Sequence, residues 1–499
     1  MMSQRGCQWI VGQRIEGEGQ ASIRKNPYDQ AIAWEGNWAS SSQIDQAMAS
    51  ACEAQRSWTL VAVQERIAIV KKFAASLESM RSELTMRIVQ ETGKPRWEAD
   101  SEVSAAIGKV QNSIDAFLHR RSTVIEGGAD PCSVIRYRPI GTMVVLGPFN
   151  LPAHLPGAHM VPAILAGNSV VFKPSELTPG VGECLLRAWH ESGVPKGLVN
   201  LVHGAGQVAQ QMVQDPRCDG VLFTGSYRVG KLLHQMLAGR PEVLLALELG
   251  GNNPLVIDRT QHVDAAVYQV LLSAYITSGQ RCTCARRLIV IEGGQGDAVI
   301  DRLKKLLPKI AVGNPTADPQ PFMGTVISSD AADKLYAFQE MLLSQGADSH
   351  VRMERKNEHG AMLTPGLIEC GAQSVQDEEW FGPLLVVQRA RDLDHAIELA
   401  NQTRFGLSAG LISDEVDVYQ HFVQRVRAGI VNWNRQTTGA SGKLPFGGVG
   451  SSGNHRPSGS YAADYCSDPV ASLESQRLTL PSQANPGLES IWQDLSPRS

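Results

Sequence analysis

From Ile140 onward the chain alternates short valine-rich runs with patterns of helical period, and this alternation restricts the possible fold more than any other feature. Each apolar run is followed by Gly, Pro or Asn, residues that typically end a strand. Buried strands that alternate with helices form a parallel sheet with helices on both faces. The runs that predict strands in the first half are TMVVLGPFN, NSVVFKP, LVNLVHG and GVLFTGS.

The same alternation resumes after Asn253 and predicts a second α/β domain. Residues 43–121, upstream of both sheets, carry apolar residues at three- and four-residue steps and predict helices, the first of them capped by Ser42. Gly251–Pro254 is the natural crossing point between the two sheets. A chain of 499 residues agrees with two or three domains of this size. The predicted strands of the second sheet are NPLVI, ARRLIVIEG, GPLLVVQRA and AGIVNWN.

Two segments fit neither sheet. Residues 123–139 and the region after about 459 predict strands of a small ribbon between subunits, and the final residues from about 480 predict a loose tail.

Composition restricts the class of function. A net charge of −4 at pH 7 excludes a strongly basic nucleic-acid binder and leaves small-molecule partners open. The N-terminus carries no apolar signal region, and no run approaches the ~18 apolar residues that span a bilayer. Nine scattered cysteines do not form a disulfide framework, which indicates a reducing compartment. We therefore expect a soluble, cytoplasmic protein.

The stretch TSGQRCTCARR places Cys282 and Cys284 one residue apart. A zinc site needs three or four ligands, and no second pair lies nearby. Redox pairs favour a Cys-x-x-Cys spacing, which this stretch lacks. Both thiols could be buried packing residues, but Cys282 follows a polar turn that can face a cleft. Arg286 and Arg287 follow it, and we expect their positive charge to favour its reactive thiolate.

Seven further motifs occur in one order over most of the chain, and together they resemble the aldehyde dehydrogenase superfamily. They are GPFNLP (147–152), FKPSE (172–176), FTGSYRVG (223–230), LELGGNNP (247–254), SGQRC (278–282), EEWFGPLL (378–385) and LPFGGVGSSG (444–453). The resemblance implies an α/β fold of the aldehyde dehydrogenase type. It has a Rossmann-type NAD-binding domain (1–120 and 141–250), an α/β catalytic domain (251–450) and a small β ribbon for oligomerisation (121–140 and 459–480).

The resemblance also implies the catalytic residues. Cys282 occupies the nucleophile position, and Cys284 beside it has no chemical role. Glu248 is the general base for thioester hydrolysis, and we expect partial burial to raise its pKa. Asn150 donates its amide to the developing oxyanion together with the backbone N–H of Cys282. No metal is implied.

NAD is the implied cofactor. Lys173 and Glu176 resemble the pair that binds the adenine-side ribose, and a carboxylate there favours NAD over NADP because it repels a 2′-phosphate. Another sequence, GAGQVA (204–209), fits a dinucleotide-binding pattern but is weak alone. The residues implied for the pyrophosphate and nicotinamide ends are Gly225, Ser226, Tyr227, Arg228, Val229, Gly230, Glu379 and Phe381.

Within the superfamily, the Cys-x-Cys-Ala-Arg-Arg form and the C-terminal tail resemble a subgroup that oxidises the semialdehyde of a succinylated amino acid in arginine breakdown. Such a dianion needs cations, and the candidates are Arg281, Arg435 and Arg456. Val449 and Gly450 stand where many relatives carry Lys after PFGG, which we expect to affect specificity. The alternatives are an aldehyde dehydrogenase for another semialdehyde, a CoA-acylating enzyme and an inactive homologue that only binds. We expect a homodimer or a tetramer.

Overall fold

A computed structural model describes residues 5–127, 132–371 and 376–495. Residues 1–4 of the predicted NAD-binding domain and 128–131 of the predicted ribbon lie outside the described residues. The helices are α1 (Ser41–Trp58), α2 (Val63–Ser79), α3 (Arg81–Thr92), α4 (Arg96–Arg120), α5 (His154–Ala166), α6 (Pro179–Glu191), α7 (Gly206–Gln214), α8 (Tyr227–Leu237), α9 (Val263–Ala274), α10 (Gly294–Leu306), α11 (Ser329–Ser344), α12 (Leu393–Asn401), α13 (Val416–Arg425), α14 (Ala462–Tyr465) and α15 (Glu489–Leu495).

Short 3₁₀ turns supplement these helices at Ile276–Gly279, Leu307–Lys309 and Gly450–Ser452. The strands are β1 (Gln8–Ile10), β2 (Gln13–Ile15), β3 (Ala21–Lys25), β4 (Ile32–Asn37), β5 (Val124–Gly127), β6 (Cys132–Pro139), β7 (Thr142–Leu146), β8 (Ser169–Lys173), β9 (Val199–Leu201), β10 (Gly220–Gly225), β11 (Leu244–Leu249), β12 (Asn253–Ile257), β13 (Ala285–Ile291), β14 (Asp348–Val351), β15 (Gly366–Glu369), β16 (Leu384–Ala390), β17 (Ser408–Ile412), β18 (Ile430–Trp433), β19 (Pro445–Phe446), β20 (Ser458–Gly459) and β21 (Ser467–Glu474).

The first sheet has the order β11-β10-β7-β8-β9-β1-β2, and its five central and outer strands from β11 to β9 are parallel, as predicted. Strands β1 and β2 extend the sheet in antiparallel orientation. They were not predicted, because three-residue strands carry almost no periodic signal. One apolar core lies between this sheet and helices α2 to α6. A second core packs α1, α7 and α8 against the opposite face.

The second sheet has the order β14-β15-β16-β13-β12-β17-β18 and is parallel except for the antiparallel edge strand β14. The chain crosses from the first sheet to the second between Leu249 and Asn253, within the predicted crossing region. Helices α9 and α10 cover one face, and α12 and α13 cover the other. The four runs predicted as strands of this sheet form β12, β13, β16 and β18, whereas β14, β15 and β17 were not predicted.

The two segments that fit neither sheet form a third, antiparallel sheet with the order β21-β6-β5. The final residues are not entirely loose, because α15 forms there with every residue at least partly exposed. The first long helix begins two residues earlier than predicted, because Ser40, not Ser42, is its cap. The Ser40 hydroxyl accepts from the Gln43 N–H, and the Gln43 side chain accepts from the Ser40 N–H.

No helix among the described residues combines the length and the apolar character needed to cross a membrane.

Candidate active site

The carboxyl ends of four parallel strands in the first sheet open into one cavity. Because parallel strands end at the same edge, residues that follow β7, β8, β10 and β11 meet there. The cavity has a volume of about 450 Å³. Of the residues predicted for the site, those that line it are Asn150, Lys173, Glu176, Gly225, Ser226, Val229, Glu248, Cys282, Glu379 and Phe381.

A left-handed turn holds the nucleophile segment. Thr277, Ser278 and Gly279 have φ of 57°, 51° and 72°, a region that costs roughly 1–2 kcal/mol for each residue other than glycine. Two arginines stabilise it: Arg281 donates to the Thr277 hydroxyl at 2.7 Å, and Arg286 donates to the Gly279 carbonyl at 2.6 Å. A Cβ on Gly279 would lie 2.1 Å from the carbonyl oxygen of Gly382, so only glycine fits.

Cys282 lies where this cavity meets a second one of about 330 Å³. The expectation that arginines favour its thiolate is wrong for the protein without ligands: its pKa is raised well above the usual range, first by burial and then by Glu248 and Glu379. Arg286 opposes the rise only weakly. Arg287 does not reach the thiol because its guanidinium donates to backbone carbonyls, including that of Asn252 at 2.8 Å.

Cys284 lines neither cavity among the described residues and is fully buried. Its sulfur lies 3.8 Å from the carbonyl oxygen of Ile276, and burial raises its pKa. The packing role predicted for it agrees with this location.

Glu248 is the last but one residue of β11, and its side chain lies in the interior, 1% exposed. Neither carboxylate oxygen has a hydrogen-bond partner among the described residues. Burial raises its pKa well above the ordinary value, Arg456 partly offsets the rise, and Glu379 adds to it. A buried carboxyl group with free oxygens and a raised pKa has the properties of a general base, and its environment is more buried than the sequence predicted.

Asn150 lies in the loop after β7. Its side-chain amide donates one hydrogen bond to the Gln280 carbonyl at 3.0 Å, which connects this loop to the nucleophile turn. The amide has a second hydrogen, and Asn150 and Cys282 line the same cavity. The arrangement can supply an oxyanion donor beside the thiol.

Lys173 and Glu176 lie at the far wall of the larger cavity. The Lys173 ammonium is buried and donates to the carbonyls of Pro174 and Gly204, both at 2.9 Å. Burial lowers its pKa. Glu176 lies 3.6 Å from it, and its carboxylate is half exposed and available to a ligand.

Helix α8 begins at the cavity, with the Ser226 hydroxyl accepting from the Val229 N–H at 3.4 Å. Three predicted residues of this motif do not line the cavity: Tyr227 packs edge-on against Phe405, Arg228 is exposed, and Gly230 packs against Leu249. The predicted residues through which this motif reaches the cavity are therefore Gly225, Ser226 and Val229.

The alternative GAGQVA motif also reaches the cavity. Gly206 and Ala209, at the start of α7, line its wall beside the α8 motif. The cofactor was predicted at the start of α8 and not at the start of α7, whereas both helix starts line the same cavity.

Glu379 and Phe381 lie on the wall nearest Cys282. Glu379 accepts from the Gly251 N–H at 3.2 Å, and burial raises its pKa to about 7. Phe381 contacts Phe149 edge to face, with 5.9 Å between the ring centroids, and the Arg286 guanidinium lies 5.3 Å from its centroid.

The second cavity lies on the other side of Cys282, and most of its residues were missed from the sequence. Lys109 and His154 contribute side chains to it, although helix α4 carried no motif. Arg281 lines it as well, but its guanidinium pairs with buried Glu98 at 3.0 Å. Among the described residues, the walls of the two cavities do not include Arg435, which is exposed, or Arg456, which donates to the Gly448 carbonyl.

Val449 and Gly450, expected to affect specificity, line neither cavity in the described part of the chain. Gly450 has a φ of 59°, and a Cβ there would lie 2.5 Å from the Arg404 carbonyl oxygen. A tight turn therefore requires glycine at position 450, and nothing in the structure explains Val449 in place of Lys.

The chain is similar to known proteins along nearly its whole length. The model of the aldehyde dehydrogenase family matches residues 15–470. The chain is 47% identical over 480 residues to N-succinylglutamate 5-semialdehyde dehydrogenase of Chromobacterium violaceum, covering 96% of this chain and 99% of the relative. It is 48% identical over 482 residues to the protein of the same name from Escherichia coli K12, with 96% and 98% covered.

A solved structure of 1-pyrroline-5-carboxylate dehydrogenase from Thermus with bound NAD is also similar. It superimposes with a TM-score of 0.89 at 27% identity and covers 95% of this chain and 93% of that one.

Proposed function

The chain belongs to the aldehyde dehydrogenase family and acts on a small-molecule aldehyde, and we propose that it oxidises N-succinyl-L-glutamate 5-semialdehyde to N-succinyl-L-glutamate with NAD, in arginine breakdown. The observation that carries the proposal is the position of Cys282 between two cavities, one suited to a dinucleotide and one to a substrate. Two relatives of about 48% identity and nearly equal length carry the name of this activity.

The larger cavity fits NAD by the chemistry of its wall. Glu176 can accept from ribose hydroxyls, and the start of α8 presents free N–H groups and a positive dipole to a pyrophosphate. Glu379 and Phe381 lie at the end next to Cys282. When bound there, NAD supplies the two-electron acceptor that takes hydride from the substrate carbon.

The protein's own groups perform the remaining steps. The Cys282 thiol releases its proton to solvent and its sulfur attacks the aldehyde carbon. A C–S bond forms, the C=O π bond breaks, and the carbonyl oxygen becomes an oxyanion. The Asn150 amide and the Cys282 N–H donate to that oxygen. After oxidation the acyl group is a thioester on Cys282.

Glu248 acts in the second half of the reaction. It takes a proton from a water molecule, the water oxygen attacks the thioester carbon, and the C–S bond breaks. The carboxylic acid product leaves, and the sulfur returns as the thiolate. Neither Glu248 oxygen has a hydrogen-bond partner among the described residues, so both can accept from this water.

The domain division proposed from the sequence places the first sheet and its helices in NAD binding and the second sheet in catalysis. The third sheet would form the subunit contact. Its edge strands expose large apolar side chains, Ile125 at 67% and Leu473 at 85%, and such residues favour an interface. Light scattering should give at least a dimer, and Leu473→Asp should weaken it.

A cytoplasmic location fits the free thiols among the described cysteines.

A panel of aldehydes tests the proposed function. Formation of NADH is followed by absorbance with N-succinylglutamate semialdehyde, shorter semialdehydes and uncharged aldehydes, each with and without CoA. We expect the highest kcat/KM for the succinylated substrate and no dependence on CoA. A higher kcat/KM for another semialdehyde would show that the proposed substrate is wrong. A requirement for CoA would show that CoA, not water, attacks the thioester.

A further inference from the structure

Lys109 is a buried cation on the wall of the substrate-side cavity. It lies in the middle of α4 and is 2% exposed. Its ammonium donates to the Gly459 carbonyl at 2.8 Å, and both residues line the cavity that also contains Cys282. No carboxylate pairs with it among the described residues. An ammonium group buried without a counter-ion is destabilising, which indicates that something else neutralises it.

The other cations near this cavity already have partners. Arg281 pairs with Glu98 at 3.0 Å, and Lys94 pairs with Glu102 at 2.7 Å. His154 is neutral because burial, with Lys109 nearby, lowers its pKa to about 4. Lys109 is therefore the one positive charge on the described wall that is not balanced by a protein carboxylate.

We propose that the Lys109 ammonium binds a carboxylate of the substrate and selects for anionic aldehydes. The inference rests on the proposed function, whose substrate carries two carboxylates. An ammonium group has three hydrogens, and the Gly459 carbonyl takes one of them, so two remain for the ligand. The side chains of Asn112 and Ser441 line the same wall and can donate to the same carboxylate.

Burial lowers the pKa of Lys109 to about 8, so most molecules carry the charge at pH 7. A bound carboxylate favours the charged form and raises this pKa. Lys109 was not predicted as a site residue, because nothing in the sequence distinguishes a single lysine within a helix from an ordinary solvated lysine.

The test uses Lys109→Gln and, as a matched loss of one lysine charge, Lys72→Gln on the exposed face of α2. For the succinylated semialdehyde we expect Lys109→Gln to lower kcat/KM by ~100-fold, mainly through KM, because the carboxylate contact exists before and during the reaction. For an uncharged aldehyde of similar length the change should stay below ~3-fold. Lys72→Gln should change kcat/KM for neither substrate by more than ~2-fold, because Lys72 lines neither cavity in the described part of the chain.

Inhibition by succinate gives a second readout, measured against the uncharged aldehyde. Lys109→Gln should weaken this inhibition at least ~10-fold. If the wild-type enzyme shows no preference for the dianion, the proposed substrate is wrong, while the succinate readout still decides the role of Lys109. Unchanged succinate inhibition would overturn the assignment.

Lys109→Met separates binding from folding. Because it removes an unpaired buried charge and retains the length of the side chain, its melting temperature should equal or exceed that of the wild type. Equal losses on charged and uncharged aldehydes, together with a lower melting temperature, would show that Lys109 holds α4 to the Gly459 segment instead of binding substrate.

Discussion

Lys94 and Glu102 form an ion pair in the interior, with 2.7 Å between Nζ and Oε2. The Lys94 ammonium also donates to the backbone carbonyl of Asn150 at 2.6 Å, and the other oxygen of Glu102 accepts from the Ala153 N–H at 2.8 Å. Both charges thus hold the loop that carries the proposed oxyanion donor. The pair connects the beginning of α4 to the loop after β7, and no sequence pattern predicts this contact.

Breaking this pair should destabilise the fold. Glu102→Gln leaves the Lys94 charge buried without a carboxylate, and we expect a loss of ~3–5 kcal/mol in the free energy of unfolding. Denaturant titration measures it. Asp264→Asn is the control, because it breaks the exposed pair with Arg302 and should cost below ~1 kcal/mol. Similar small losses in both variants would show that the buried pair is not needed.

The two cysteines should differ completely in function. Cys282→Ala removes the sulfur between the cavities, so no NADH should form even in a single turnover with excess enzyme. Cys284→Ser should retain substantial activity, because its sulfur lines neither cavity in the described structure. Rapid-mixing absorbance follows both. Activity in Cys282→Ala, or an acyl group found by mass spectrometry on Cys284, contradicts the mechanism.

Glu248→Gln should separate the two halves of the reaction. Without the base, steady-state turnover should fall by at least ~100-fold while acyl-enzyme accumulates on Cys282. The mass of the intact protein shows the accumulated adduct. In the wild type, thioester hydrolysis should become faster as pH rises through the raised pKa of Glu248, because the base must be deprotonated. Slow turnover of the variant without an accumulated adduct would show that Glu248 acts before the thioester forms.

Cofactor choice should depend on Glu176. Its half-exposed carboxylate faces the larger cavity and would repel a 2′-phosphate, so the wild type should prefer NAD. Glu176→Gln should narrow the ratio of kcat/KM for NAD over NADP by ~10-fold or more. The measurement is NADH or NADPH formation at several cofactor concentrations. Equal use of both cofactors by the wild type would refute the assignment.

Acid should destabilise the protein partly through His159. Burial lowers the pKa of this imidazole to about 3, while its unfolded value is near 6.5. Below pH 6.5 the unfolded chain binds a proton that the folded chain does not, so stability falls as pH drops towards 3, by up to ~1.4 kcal/mol per pH unit. His159→Gln should show a shallower loss of melting temperature between pH 7 and 4. Parallel curves for variant and wild type would exclude this contribution.

Several strands could be predicted from the sequence alone because their cause is local. Runs such as 143–146 and 288–291 are apolar along their whole length, which predicts burial on both faces, and glycine or proline follows shortly after each strand. The motif around Cys282 and the LELGGNNP motif that contains Glu248 likewise have local signatures. Their order along the chain was enough to identify the family.

Other features depend on contacts between distant segments, so the sequence could not predict them. The pKa of Cys282 is set by burial and by Glu248 and Glu379, whose charges outweigh the arginines adjacent to it in sequence. The left-handed backbone of Thr277 is held by an arginine and by Glu98 from α4. Lys109 becomes an unpaired cation only when α4 packs beside the Gly459 segment, 350 residues further along. Sequence determines local structure through short-range sterics and periodicity, whereas charge balance and burial exist only after the chain has folded.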